Sequence, residues 1–290
     1  MDGIIIINKE KGYTSHDIVH KVKKMLNEKV GHTGTLDPLA EGVLPILVGK
    51  GTLCSKYLIN HDKTYIAKIQ LGKMTDTADG EGKILKEENV LPNLIEKQRV
   101  ETILKTFIGQ QKQIPPKYSA IKINGKKLYE YARHGQEIQI EPRNIEIYDI
   151  KLLKIDISKC QIEFEVKCSK GTYIRTLCED IAKKMGTVGY MFNLKRTSVG
   201  QFKIEDAVTI KELEENKEYI NKNFINLEKI FERNEKIILE NEKKLELFLN
   251  GVQLTEKKDN GVYRVYIKNE FIGTGTVKNN LLKRDVIIQN

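Results

Sequence analysis

No Cys-x-x-Cys pair, no Gly-x-x-x-x-Gly-Lys-Ser/Thr phosphate loop and no apolar run of membrane-spanning length occurs in these 290 residues. Each absence excludes something. The four cysteines, Cys54, Cys160, Cys168 and Cys178, are far apart, and with no secretory leader ahead of them they are expected to be reduced packing residues in a cytoplasmic protein. The first apolar stretch, Ile4 to Ile7, is far too short for a signal core or a bilayer crossing, so no membrane is expected. Gly49-Lys50-Gly51-Thr52 matches only the end of a phosphate loop. His16 and His20 stand one helical turn apart without an acidic or thiol cluster, which reads as a solvated helix face. No metal, nucleotide or redox cofactor is expected.

What is present is a globular composition, 40% hydrophobic, on a chain long enough for one large domain and a small one. The 49 Lys and Arg against 40 Asp and Glu give a formal charge of +9, which favours a polyanionic partner. The charge is unevenly placed. Residues 110 to 133 carry six basic side chains (Lys112, Lys117, Lys122, Lys126, Lys127, Arg133) against the single acid Glu130, whereas residues 205 to 246 carry 12 acids against 8 basic residues. The first stretch reads as a basic patch and the second should repel a phosphate backbone; both also fit ordinary solvated faces.

Periodicity predicts a buried strand at Ile4 to Asn8, a turn, a capping-box start at Thr14 to Asp17, and an amphipathic helix to about Glu28. A half-buried strand is predicted from Lys63 through Leu71, an acidic glycine-bearing loop at Asp76 to Gly82, and a helix over Leu94 to Ile108 that breaks at Gln110 to Pro116. Ile162 to Cys168 alternates as a clear strand, and Thr172 to Met185 reads as a helix stopped by Gly186, with Arg175 off its apolar stripe. A boundary near residue 225 separates residues 1 to 225 from a β-rich remainder, 226 to 290. That remainder has a short helix closing at Gly251 and strands at Val262 to Ile267, Phe271 to Val277 and Val286 to Ile288.

The most informative stretch is Gly31-His32-Thr33-Gly34-Thr35-Leu36-Asp37-Pro38-Leu39-Ala40-Glu41-Gly42-Val43-Leu44, which presents Asp37 among glycines and small polar residues. Local grammar allows a plain reading. Asp37 suits a helix N-cap, Pro38 the first helical position, and Leu39, Val43 and Leu44 a core. The whole stretch, however, closely resembles the signature of the TruB family of tRNA pseudouridine-55 synthases, whose essential aspartate corresponds to Asp37. Further segments resemble the same family in order. They are Lys9-Glu10-Lys11-Gly12-Tyr13-Thr14-Ser15, with Glu10 where the family has proline; Lys63-Thr64-Tyr65; Gly171-Thr172-Tyr173-Ile174-Arg175; and Leu194-Lys195-Arg196-Thr197, with Lys195 in place of an arginine.

The resemblance implies an α+β fold, with a mixed-sheet catalytic domain over 1 to 225 and a small C-terminal β-rich PUA-like RNA-binding domain. It implies isomerisation of uridine in the T-loop of tRNA after base flipping, with Asp37 as nucleophile or base, Tyr65 against the uracil and Arg175 paired with Asp37. Tyr65 also reads as a core aromatic and Arg175 as a surface residue. His32 is a candidate for filling the gap left by the flipped base, or for loop packing. Residues 112 to 143 resemble an insertion that closes over the T-arm. There Lys117, Tyr118, Lys122, Lys126 and Arg133 are expected RNA contacts, as are Lys9, Leu194 and Arg196 elsewhere. A monomer with no obligate protein partner is expected. Two other readings are a non-catalytic RNA-binding protein on the same scaffold and a synthase directed by guide RNA.

Overall fold

Four consecutive isoleucines can all leave water only on a strand covered on both faces. In the computed structural model Ile4 to Ile7 occupy the strand Gly3–Lys9 of a ten-stranded sheet. Ile5 and Ile7 join a core that includes Ile18 and Val22 of the helix Ser15–Leu26 and Leu177 and Ile181 of the helix Ile174–Met185. Ile4 and Ile6 point the other way, into a cluster with Tyr266, Phe271 and Val286 of a second, five-stranded sheet. The structure describes residues 1–136, 138–216 and 218–288. Glu137 of the expected insertion, Lys217 of the acidic stretch and the last two residues therefore lie outside the described residues.

Across the large sheet the order is Phe224–Asn226, Gly3–Lys9, Glu41–Val48, Gly189–Val199, Lys63–Leu71, Gln161–Cys168, Arg143–Asp156 and Gly109–Gln113. Neighbours on this path are antiparallel except Glu41–Val48 and Gly189–Val199, which run parallel through the partners Lys195 with Glu41 and Arg196 with Gly42. The smaller sheet runs Lys236–Leu239, Gly261–Ile267, Glu270–Lys278, Leu281–Ile287 and Leu254–Thr255. The fold is thus α+β, with a mixed main sheet and a β-rich C-terminal part, as expected. Among the described residues no helix is long and apolar enough to cross a membrane.

Local signals acted largely as their chemistry requires. The Thr14 hydroxyl accepts the Asp17 amide and the Asp17 carboxylate accepts the Thr14 amide, so the capping box forms. The helix ends at Leu26, two residues before the expected Glu28, because Asn27 turns left-handed. Gly186, at φ +91°, closes the later helix as expected.

Other expectations are corrected. No helix follows Asp37: residues Glu41–Val48 form a strand, whose β-branched Val43, Ile46 and Val48 fill the core from a pleated backbone. The helix expected over Leu94 to Ile108 is a 3₁₀ turn, Pro92–Ile95, followed by Lys97–Lys105. The expected break at Gln110 is an edge strand, Gly109–Gln113, paired with residues Arg143 to Ile147. The last strand begins at Leu281 and not at Val286. Arg175 is buried, which removes the alternative that it is a surface residue.

Gly42 stands where the two parallel strands meet, at φ +108°, and a Cβ there would lie 2.1 Å from the Arg196 carbonyl oxygen. Gly42→Ala should therefore destabilise the protein by at least about 2 kcal/mol in urea unfolding, since both backbone strain and a backbone clash oppose it; a loss within error would show that this junction adapts freely.

Candidate active site

Between the strands Val30–His32 and Glu41–Val48 the chain forms a loop, 33 to 40, with little internal hydrogen bonding beyond Ala40 N–H to the Asp37 carbonyl. Buried carbonyls need donors, and they come from elsewhere in the sequence. The Lys9 ammonium donates to the Pro38 carbonyl at 3.4 Å, and to those of Tyr13 at 2.7 Å and Glu10 at 3.1 Å. The Gly12 amide donates to the Pro38 carbonyl as well. The Ser15 hydroxyl donates to the Leu36 carbonyl at 3.2 Å and accepts the Leu36 amide at 2.8 Å. Arg196 donates to the carbonyls of Val43 at 2.7 Å, Thr35 at 3.5 Å and Gly34 at 3.3 Å.

These bonds turn two expected surface cations inward. Lys9 is fully buried, and burial pushes its ammonium down to about 8, because an enclosed charge is disfavoured relative to one in water. Arg196 is 1% exposed. Both are enclosed, and both hold the loop. Leu194, opposite Ala67 in the sheet, lies in the same core cluster as Tyr65.

The carboxylate so held faces a guanidinium. Arg175, in the first turn of Ile174–Met185, places Nε 3.0 Å from Asp37 Oδ2 and donates from Nη2 to Oδ1 at 3.4 Å, a two-pronged grip. The same guanidinium donates to the carbonyls of Tyr118 at 2.8 Å and Thr77 at 3.3 Å, and lies 3.6 Å from Asp79 Oδ2. The arginine side chain is 6% exposed, whereas that of Asp37 retains 34%, so the carboxylate opens outward while its counter-ion is enclosed. Burial pushes the Asp37 carboxyl up; Arg175 opposes this and Asp79 adds to it.

Tyr65 sits on Lys63–Leu71 directly opposite Arg196, so the two side chains share a face of the sheet. Burial drives its phenol to about 12, which keeps it neutral near pH 7. His32 is half-buried, and burial with the nearby Arg196 lowers its imidazole, again favouring the neutral form. The structure thus brings Asp37, Arg175, Tyr65 and His32 to one region.

The expected insertion carries a small hairpin, Lys122–Ile123 with Lys126–Lys127, and the helix Leu128–Arg133. Lys117, Lys122, Lys126 and Arg133 are exposed on it. Lys127 and Arg133 both lie over the Tyr129 ring, 5.3 Å from its centre. Tyr118 is half-buried, and its carbonyl ties the insertion to Arg175. His16 and His20 are exposed, as expected, and among the described residues no His, Cys, Asp and Glu cluster of metal-binding form occurs.

Three residues of this region escaped the sequence reading. Asp79 was visible only as one acid of the loop Asp76 to Gly82; it is fixed by the Thr77 hydroxyl at 2.6 Å and the Glu81 amide at 3.1 Å. Ser15 passed as part of a helix start. Gln113, inside the presumed break, is buried and clamps both backbone groups of Tyr173 just ahead of Arg175. Their place in the site follows no local pattern, because it rests on remote partners: Arg175 for Asp79, Leu36 for Ser15 and Tyr173 for Gln113.

Comparison with known proteins gives the family. The sequence profile of the TruB family pseudouridylate synthase N-terminal domain matches residues 22–174, and that of the tRNA pseudouridylate synthase B C-terminal domain matches 175–238. Proteins named tRNA pseudouridine synthase B are similar to the chain. That of Clostridium acetobutylicum is 46% identical over 96% of each chain; that of Fusobacterium nucleatum is 45% identical over 97% of this chain and 98% of its own. A solved Cbf5-Nop10-Gar1 complex contains a chain 25% identical with TM-score 0.69, covering 99% of this chain and 84% of that one. A structure of an H/ACA RNP bound to a substrate RNA gives TM-score 0.70 at 23% identity, covering 99% and 85%, a likeness of fold. By its profiles and its near-full-length relatives, this chain belongs to the TruB family of pseudouridylate synthases.

Proposed function

We propose that this protein isomerises uridine to pseudouridine in tRNA, at position 55 of the T-loop, with the target nucleotide everted and Asp37 as the reacting carboxylate. The reaction breaks the bond from ribose C1′ to N1, turns the base, joins C5 to the same carbon and releases the C5 proton. One C–N bond is exchanged for one C–C bond, so no external electron or group donor enters. The Asp37–Arg175 pair carries the reading: a protein that only binds RNA gains nothing from holding a partly exposed carboxylate against an enclosed guanidinium. The relatives' names support tRNA as substrate.

In this reading Arg175 keeps Asp37 ionised, Tyr65 offers a neutral ring to the uracil, and His32 fills the space the base leaves. Residues 112 to 143 clasp the T-arm through Lys117, Lys122, Lys126 and Arg133, while Tyr118 connects the clasp to Arg175. Lysines and arginines there contact phosphates and set register; shape and the everted base give selectivity. Residues 226 to 290 form an auxiliary PUA-like module. The enzyme acts in the cytoplasm, as a monomer without an obligate protein partner.

Purified alone, the protein should release tritium from a T-arm stem-loop carrying C5-labelled uridine at position 55; absence of release would refute the assignment. Its acid limb should follow Asp37. Because the folded carboxyl is raised, the active carboxylate is lost as pH falls through that elevated value. Arg175→Gln removes the opposing cation, so the limb should move to higher pH and the maximum rate should fall by about 10² or more; an unmoved limb would detach Arg175 from Asp37 ionisation. Replacing Lys122, Lys126 and Arg133 by alanine should lower the slope of log affinity against log salt by about two to three, at about 0.7 to 0.9 per phosphate contact; an unchanged slope would remove the clasp from the RNA.

A further inference from the structure

Arg196 is the bulkiest fully buried side chain among the described residues. Enclosing a guanidinium is costly unless its donors find acceptors. It finds them on both sides of Asp37: Gly34 and Thr35 before it, Val43 after it. Across the sheet its direct cross-strand neighbour is Tyr65, on the same face and close enough for the guanidinium to act on the phenol. One rigid plane therefore binds the loop that carries the carboxylate and lies across from Tyr65 in the sheet. An ammonium, with three donors on a tetrahedral centre, could not reproduce that set.

The close approach is built into the backbone. Gly42, the parallel partner of Arg196, has no side chain to separate the strands, and the Arg196 carbonyl lies where its Cβ would stand. The exposed cations proposed to meet RNA, in contrast, are on the insertion. Loss of Arg196 should then disturb geometry at the reacting atoms and leave the grip on RNA.

We propose that Arg196 is a positioning residue of the isomerisation, fixing the Asp37 loop and the Tyr65 ring relative to each other so that a uracil against Tyr65 presents its glycosidic carbon to Asp37. This inference rests on the proposed roles of Asp37 and Tyr65. It replaces the expectation that Arg196 contacts RNA.

The test is a double-mutant cycle of Arg196→Lys and Tyr65→Phe, following single-turnover tritium release and stem-loop affinity, with thermal melts confirming the fold. Arg196→Lys should slow release by about 100-fold, as expected for a small misplacement of reacting groups. Affinity should stay within about threefold. In the Tyr65→Phe background, where the hydroxyl on the neighbouring strand is gone, the same substitution should cost less than about tenfold. Equal fold losses in both backgrounds, or a loss of affinity matching the loss of rate, would overturn the proposal. Tyr65→Phe alone supplies a second readout if Arg196→Lys does not fold. Deleting that hydroxyl should shift the Arg196 Nε–H resonance and the amide resonances of Gly34 to Leu36, and unmoved resonances would refute the link. Those resonances report on the link even if the wild type releases no tritium, an outcome that would instead remove the assigned reaction.

Discussion

The loop from Thr33 to Ala40 has almost no hydrogen bonds of its own, yet it must keep a carboxylate at a fixed place. That constraint organises the centre of the molecule. Lys9, Gly12 and Ser15 supply donors from the first strand and helix, and Arg196 supplies three more from a strand far along the chain. Two buried cations are tolerated because carbonyl oxygens surround them, and the desolvation cost of each is offset by bonds the loop would otherwise lack. The loop then offers Asp37 to Arg175, whose own orientation is set by the carbonyls of Thr77 and Tyr118 and by Asp79.

Topology puts these donors within reach. The main sheet reverses its antiparallel habit once, where Glu41–Val48 meets Gly189–Val199, and the Asp37 loop leads into that junction. Strands meeting there must approach closely, which Gly42 allows. The far face of the same strands is equally committed. Ile4, Ile6, Val43 and Leu47 pack with Tyr266, Phe271 and Val286, so the C-terminal sheet shares a core with the strand that follows the loop. Lys50 donates to the Ile288 carbonyl at 2.6 Å and Lys56 pairs with Asp285, which adds polar ties around that core.

Much of this was legible locally. The Thr14 and Asp17 capping box, the alternation of Tyr65 to Leu71 and of Ile162 to Cys168, and the stop at Gly186 are rules of a few residues, and they acted as such. The cap grammar at Asp37 misled because it weighs only the turn ahead, whereas Val43, Ile46 and Val48 prefer a strand between two packed faces. Lys9 and Arg196 were expected to be RNA contacts from the family resemblance of their motifs, which says nothing of how deeply each side chain lies. Their burial depends on carbonyls that the fold, and not the neighbouring sequence, brings to them. The pairing of Asp37 with Arg175 came from the family resemblance, since no period or spacing connects positions so far apart. Asp79 and Gln113 had neither warrant, and only the folded chain shows them around Arg175.

The central claim is that the carboxylate of Asp37 does chemistry and is not merely one more partner for a buried arginine. Asp37→Asn keeps the shape and the Arg175 contact surface while removing the charge. Single-turnover tritium release with this variant tests the claim most directly. The account predicts release slowed by at least about 10⁴-fold with stem-loop affinity within about threefold; release at a rate comparable to the wild type would contradict it.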